Sequence, residues 1–241
     1  MKANLAVALA SAGEHEEAAA LQSEVAASFR TTLGAGSHEG LMVLAQRADQ
    51  HRNAGRHDEA ILLMQECLDT ITALGKERDE LVQLMLLNTC VCHMQMGRWT
   101  LALEFAARRA IWLGRSPKYG QSSSQYVYSL TLAFKCNFKL ANVEESRRIL
   151  DHCRIIVSGL TPRIDHGPSE QRYIAVMLRS VGDCCDQLND TEGSKYYNML
   201  SLDQWRCLAR RESQDGTGST RNQAQYYDQM NSLAKAFLNA K

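Results

Sequence analysis

Apolar and polar residues recur along this chain with the spacing of helices that bury one face. A leucine stands eleven residues before each of four recurrent turn positions, and a mostly small residue stands seven before each. Positions four residues apart lie on the same face of an α-helix. The pattern therefore predicts helices that each pack one face against a partner. The two sets are Leu44, Leu86, Leu130 and Leu178, and Ala48, Cys90, Phe134 and Gly182.

The turn positions form an internal repeat. In the first three copies a glycine is followed five residues later by an alanine, and the glycines are 42 residues apart. Two later copies keep the offset of five, at spacings of 44 and 48 residues, but change both residues. A fixed period of this length is typical of helical repeat proteins. The pairs are Gly13 and Ala18, Gly55 and Ala60, Gly97 and Ala102, Ala141 and Ser146, and Asn189 and Ser194.

Both repeated positions have a physical reason. A helix commonly ends on a residue in the left-handed conformation, which glycine adopts without strain and asparagine more easily than most residues. Alanine does not adopt it cheaply, so we expect the turn at Ala141 to be built differently. The small residue five positions later lies early in the next helix, where a short side chain lets the two helices approach closely.

The repeat resembles the tetratricopeptide repeat, in the long-period form found in kinesin light chains. The usual period is about 34 residues, and the extra length here adds about two helical turns to each pair. The resemblance covers residues 1 to about 115 well and 116 to 212 more loosely. It is carried by Ala3-Asn4-Leu5-Ala6 followed by Gly13-Glu-His-Glu-Glu-Ala18, by Thr32-Leu33-Gly34 ahead of His38, and by Trp112-Leu113-Gly114.

The resemblance implies an all-α fold, a right-handed superhelical solenoid of about five antiparallel helix pairs plus a C-terminal capping helix. We expect the repeat array at 1–211, a polar, glycine-rich linker at 212–221 and an amphipathic capping helix at 222–241. The pairs are expected near 1–36, 37–76, 77–116, 117–160 and 168–211. The predicted helices are 1–12 with 15–32, 38–54 with 57–74, 77–96 with 99–114, 120–140 with 143–158, and 168–188 with 191–211.

Composition and charge argue against several classes of function. Positive and negative side chains balance at 27 each, so no general attraction to nucleic acid or to an anionic membrane is expected. No apolar run reaches the length of a membrane span, and acidic residues close behind the apolar start argue against a targeting signal. The eight cysteines fall inside helical patterns, and we expect them to be reduced, buried residues of a cytoplasmic protein.

The sequence contains no motif for catalysis, a cofactor or a metal. It has no glycine-rich phosphate loop, no Gly-x-Ser-x-Gly elbow and no His-Glu-x-x-His zinc helix. His51 and His93 stand four residues before their turn glycines. Tetratricopeptide repeats often hold an aromatic residue there, so we expect both to be packing residues. We therefore expect a protein that is not an enzyme and binds no cofactor or metal.

The resemblance also implies a peptide-binding groove on the first helix of each pair. Tetratricopeptide proteins often carry an asparagine nine residues before the turn, where its amide clamps the backbone of a bound peptide. Carboxamides suit this role because they donate and accept hydrogen bonds together. Other polar residues of these helices would line the same groove, or would only solvate an exposed helix face. The candidate groove residues are Asn4, Gln46, Asp49, Arg52, Asn53, Asn88, Gln95, Lys135 and Lys139.

These observations favour a cytoplasmic scaffold or adaptor that holds a peptide or helix of a protein partner in its concave groove. A second hypothesis is a structural subunit of a large cytoskeletal or ciliary assembly, held through its ends and edges. An enzyme or an RNA-binding protein is disfavoured because the sequence offers no cluster of acids, no cofactor motif and no basic stripe.

Overall fold

The structure of the described residues is entirely α-helical. A computed structural model describes residues 37–76, 80–160 and 167–214, with side chains up to 210, and a few single positions before residue 25. No strand occurs in these ranges. The helices are α1 (His38–Asn53), α2 (His57–Ala73), α3 (Glu80–Gln95), α4 (Trp99–Arg115), α5 (Ser124–Lys139), α6 (Val143–Leu160), α7 (Pro168–Gln187) and α8 (Thr191–Gln214).

The predicted all-α fold class is confirmed, and these eight helices lie within a few residues of eight that the repeat predicts. The predicted first pair, apart from single positions, and the capping helix at 222–241 lie outside the described residues. Helix α8 continues to Gln214, three residues into the segment predicted as a linker. The remaining linker positions also lie outside the described part of the chain.

The helices belong to two compact units, Met1–Trp112 and Leu113–Lys241. In the first unit, α1 packs against α2 and α3, and α2 also packs against α3. The α4 side chain of Arg109 donates hydrogen bonds to the main-chain and side-chain oxygens of Gln83 on α3. In the second unit, α5, α6 and α7 pack against one another, and α7 packs along α8.

The turns inside the four described pairs share one geometry. Gly55, Gly97 and Asn189 have φ angles of 77°, 71° and 60°, the left-handed conformation that the sequence predicts. In each case the next residue donates its N–H to a carbonyl five residues back, at 2.9 Å. This bond is the one that closes a helix in the Schellman motif.

The expectation that Ala141 would require a different turn is wrong. Ala141 has a φ angle of 61°, and the N–H of Asn142 donates to the carbonyl of Asn137 at 2.9 Å, as in the other three turns. The methyl group costs about 1–2 kcal/mol in this conformation. The hydrogen bonds of the turn and the packing of α5 on α6 hold the residue there despite that cost.

Replacing Ala141 with glycine is therefore expected to raise the free energy of unfolding by about 1 kcal/mol. The relieved backbone strain exceeds the roughly 0.4–1 kcal/mol of extra entropy that glycine gives the unfolded chain. Urea unfolding followed by circular dichroism measures the difference. The matched control is Gly97→Ala, whose new Cβ would meet nothing within 4 Å. We expect the free energy of unfolding of this control to fall by a similar amount. Equal stabilities of Ala141→Gly and wild type would show that Ala141 is not strained.

The small residue after the turn is buried where the helices meet in three of the four described pairs, whereas Ser194 of the fourth pair is only half-buried. Ala60, Ala102 and Ser146 are all fully buried, as the repeat predicts. The second unit has an apolar core in which Phe134 is the bulkiest fully buried side chain. A longer side chain at the small positions would have to push one helix away from the other.

The carboxylate of Asp190, in the turn between α7 and α8, connects this turn to both α8 and α6. Asp190 accepts a hydrogen bond from the N–H of Gly193 at 3.0 Å, which caps the start of α8. The same carboxylate forms an ion pair with Arg154 of α6. The bond from Gly193, together with the charge of Arg154, lowers the pKa of Asp190 below its ordinary value. Arg154 also lies 3.3 Å from the sulfur of Cys185.

Seven of the eight cysteines are buried, and Cys207 on α8 is exposed. Burial raises the pKa of the Cys92 thiol to about 11 and that of Cys153 to about 12, against an ordinary value of 9.0. Cys92 and Cys153 therefore remain protonated at neutral pH, and the buried cysteines pack as small apolar residues, as the sequence predicts. Cys207 is the exception to that prediction.

Candidate peptide-binding face of the first helices

Three of the predicted carboxamides lie exposed in the first unit. Gln46 and Asn53 are exposed on α1, and Gln95 is exposed at the end of α3. Asn88 is different, because only 8% of it is accessible. Gln46, Asn53 and Gln95 can therefore donate and accept hydrogen bonds with a ligand from solution, whereas Asn88 sits among the packed side chains of α3.

The charged residues predicted for the same face of α1 neutralise each other. The guanidinium of Arg52 lies 2.5 Å from the carboxylate of Asp49, with a second contact at 3.0 Å. Both residues are half-buried. Their charges also act on Cys92 of α3, where Arg52 lowers and Asp49 raises the thiol pKa. The pair is therefore near the turn of α3 that follows Asn88.

The predicted cations of the second unit lie on α5. Lys135 is half-buried and its ammonium group lies 3.4 Å from the carboxylate of Asp183 on α7. Lys139 is exposed one turn later on the same helix. The described candidates thus fall into two groups, one on α1 and α3 and one on α5. Asn4 lies outside the described residues.

The first helices also expose apolar side chains that the sequence reasoning missed. Met42 on α1 is 46% accessible and Leu84 on α3 is 37% accessible. Each stands thirteen residues before its turn glycine, one helical turn ahead of Gln46 and Asn88. The shared repeat position was a visible signal, but a leucine or methionine in an apolar helix is predicted to be buried by default.

The packing role predicted for both histidines holds for His93 and fails for His51. His93 is 5% accessible, and its ring stacks on Phe105 with centroids 5.4 Å apart. His51 is half-buried and makes polar contacts across the turn, with its Nδ1 atom 2.6 Å from a carboxylate oxygen of Glu59. The difference arises because the residue four positions after the turn glycine is Glu59 in one copy and Leu101 in the other.

Acidification is expected to lower the free energy of unfolding of the first unit because His93 becomes protonated. Burial, aided by the charge of Arg98, lowers the pKa of His93 below 6.5 in the folded chain. Its Nδ1 atom is buried without a hydrogen-bond partner among the described residues. Below pH 6.5 the unfolded chain binds a proton at this residue before the folded chain does, so the free energy of unfolding falls by up to about 1.4 kcal/mol per pH unit.

The variant His93→Phe should lose this part of the acid dependence while keeping the stack on Phe105. Urea unfolding at neutral and at mildly acidic pH measures the change for wild type and variant. The control is His152→Gln, which removes an exposed histidine of α6 in the other unit and leaves the surroundings of His93 unchanged. If His93→Phe and wild type lose equal stability on acidification, His93 does not titrate in this way.

The described residues show neither a metal site nor a membrane span. No group of three or more His, Cys, Asp or Glu side chains in these ranges could hold a metal ion. No helix within residues 37–76, 80–160 and 167–214 is long and apolar enough to cross a membrane.

Comparison with known proteins agrees with the helical repeat. Residues 1–39 match the family model of the tetratricopeptide repeat. No curated protein matches the chain. Solved structures match over most of its length, at sequence identities that bear on the fold alone.

Two of these structures are particularly informative. One is a variant of the nearly identical TPR-like repeats of a kinesin light chain candidate from Podospora anserina, with a TM-score of 0.63 and 14% identity, covering 88% of this chain and 95% of that one. The other is BtubC (BKLC) from P. vanneervenii, with a TM-score of 0.64 and 13% identity, covering 85% of this chain and 78% of that one. The resemblance to tetratricopeptide repeats of the kinesin-light-chain kind is therefore confirmed at the level of the fold.

Proposed function

We propose that this chain is a non-catalytic scaffold or adaptor that binds a peptide or helix of a protein partner across the first helices of its repeats. The observation that carries the proposal is the set of exposed carboxamides on α1 and α3, namely Gln46, Asn53 and Gln95. They lie on helices whose other faces are already used for packing, so their exposed side is available to a ligand.

The surroundings of these carboxamides support a peptide rather than a small charged ligand. The side chains of Asp49 and Arg52 form an ion pair at 2.5 Å, so their charges neutralise each other. A peptide backbone offers uncharged N–H and C=O groups at regular intervals, and carboxamides can pair with both. Likeness to kinesin-light-chain repeats also motivates the proposal of a cytoplasmic, cytoskeleton-associated location.

The proposal predicts that removing two exposed carboxamides abolishes a protein interaction. Wild type and the variant Gln46→Ala/Gln95→Ala are used to capture proteins from the native cell extract, and bound proteins are identified by mass spectrometry. We expect at least one partner to be lost from the variant, with an affinity at least about tenfold weaker, because each lost hydrogen bond contributes about 0.5–1.5 kcal/mol.

The control for this experiment is Gln65→Ala, an exposed carboxamide on the second helix α2 whose amide donates to Asp69. It should capture the wild-type set of partners. Asn88 is left unchanged because its burial means that a substitution would test packing as well as binding. Identical sets of partners for all three proteins would exclude the first-helix face as the binding surface.

A structural subunit of a larger cytoskeletal or ciliary assembly is the second candidate function. It is favoured by exposed apolar side chains on the second helices, where Leu62 of α2 and Ile155 of α6 are each 71% accessible. Such residues would be covered by neighbours in an assembly. Partners that are retained by Gln46→Ala/Gln95→Ala but lost on Leu62→Gln would support this function instead.

A further inference from the structure

The first helices repeat an exposed apolar side chain at one fixed position. Thirteen residues before the turn residue stand Met42, Leu84 and Val176, which are 46%, 37% and 39% accessible, and the half-buried Tyr128. Single exposed apolar residues are ordinary on protein surfaces. Their recurrence at the same position in three of the four described first helices is not explained by the packing of the helix pairs, because the buried positions of those helices are different ones.

These apolar residues share a helix face with the predicted peptide-binding positions. Met42 stands four residues before Gln46, and Leu84 stands eleven residues before the exposed Gln95, so each pair lies on one side of its helix. Helices α1 and α3 pack against each other within the first unit. A ligand that lies across both helices and reaches Gln46 therefore also meets Met42 and Leu84.

Two ion pairs within the protein neutralise four charged residues of the first helices. Asp49 and Arg52 pair at 2.5 Å in the first unit, and Lys135 and Asp183 pair at 3.4 Å in the second. A charged ligand would have to compete with these contacts and desolvate them. An uncharged ligand leaves them intact and gains free energy by covering methionine and leucine side chains.

We infer that the partner segment bound by the first-helix face is apolar and uncharged, with two apolar side chains resting on Met42 and Leu84. The inference rests on the proposed function and names the chemistry of its ligand. Packed helices lie about 8–10 Å apart, so the two anchors of the ligand are separated by about 10 Å. Three residues of polyproline II or seven residues of α-helix span that distance and return to the same side.

Selection from short random peptides displayed on phage tests the inference with the intact chain as bait. We expect enriched peptides to carry two apolar residues at one of these spacings and few charges. A synthetic copy of the most enriched peptide, labelled with a fluorophore, should bind equally in low and high salt, because no ionic contact contributes. Its affinity for Met42→Gln/Leu84→Gln should fall at least about tenfold. The matched control, Leu62→Gln/Leu101→Gln on α2 and α4, should bind as wild type does.

The failures of this inference and of the proposed function give different results. Enriched peptides that are acidic or basic, or whose binding survives Met42→Gln/Leu84→Gln, overturn the inference. If the Gln46→Ala/Gln95→Ala variant nevertheless fails to bind such peptides, the proposed function stands without the inference. Peptides whose binding is unchanged by both double variants overturn both the inference and the proposed function. An absence of enriched peptides overturns the inference, and the proposed function is then decided by the capture experiment.

Discussion

Replacing Gly193 with alanine is expected to lower the free energy of unfolding by about 1 kcal/mol, although the same change in most helices is favourable by about 1 kcal/mol. A Cβ atom at this position would collide with the carboxylate of Asp190 and lie 3.0 Å from the guanidinium of Arg154. The carboxylate would have to leave both the α8 cap and the ion pair. Loss of the cap alone costs about 1 kcal/mol, and the half-exposed Arg154 loses its partner.

A double-mutant cycle separates this collision from other effects of the substitution. In the background of Asp190→Ala the obstacle is gone, so Gly193→Ala should there be neutral or slightly stabilising. The helix-propensity control is Gly159→Ala on α6, whose Cβ would meet nothing within 4 Å and should stabilise the chain. Additive effects of Gly193→Ala and Asp190→Ala would show that the two residues do not interact as the structure indicates. Chemical unfolding followed by circular dichroism supplies all four free energies.

Enlarging Ala102 to leucine is expected to lower the free energy of unfolding by about 3 kcal/mol. Ala102 is completely buried where α4 begins, and three additional heavy atoms have no space there. Overpacking of this kind typically costs about 1–3 kcal/mol, and a contact close to the helix backbone belongs at the upper end because it moves a whole helix.

The control lies five residues further along the same helix. Ala107 is exposed, so Ala107→Leu has the same change in composition and helix propensity without the collision. We expect its free energy of unfolding to stay within about 0.5 kcal/mol of wild type. A stable Ala102→Leu variant would show that α4 can move away from its neighbours at little cost.

The helices could be predicted closely because each boundary has a local cause. Gly55 and Gly97 end a helix through their own backbone freedom, and Ala60 and Ala102 mark where the next helix packs. Ala141 could not be predicted, because its left-handed conformation is unfavourable locally and is maintained by hydrogen bonds and packing around it. A local rule identifies the turn but does not show when the rest of the fold overrides a residue's preference.

The candidate site was predicted less well, because exposure depends on neighbouring helices. Gln46 and Asn88 occupy equivalent repeat positions, yet one is exposed and the other is buried. Leu84 lies in a helix that is apolar on most sides, so no periodicity distinguishes it from the core residues Leu81 and Met85. The exposed apolar position thirteen residues before the turn becomes evident only when side-chain accessibility is compared at that position across the repeat copies.

The positions of the cysteines allow the opening of each unit to be followed by the rate at which its thiols react. Cys207 is the one cysteine of eight that a reagent can reach in the folded chain. The others react only when their surroundings open, because burial keeps the reagent away from their sulfur atoms. Cys67, Cys90 and Cys92 belong to the first unit, and Cys136, Cys153, Cys184 and Cys185 to the second. Pulses of an alkylating reagent, read peptide by peptide, would therefore time the opening of each unit separately in the unmodified natural sequence.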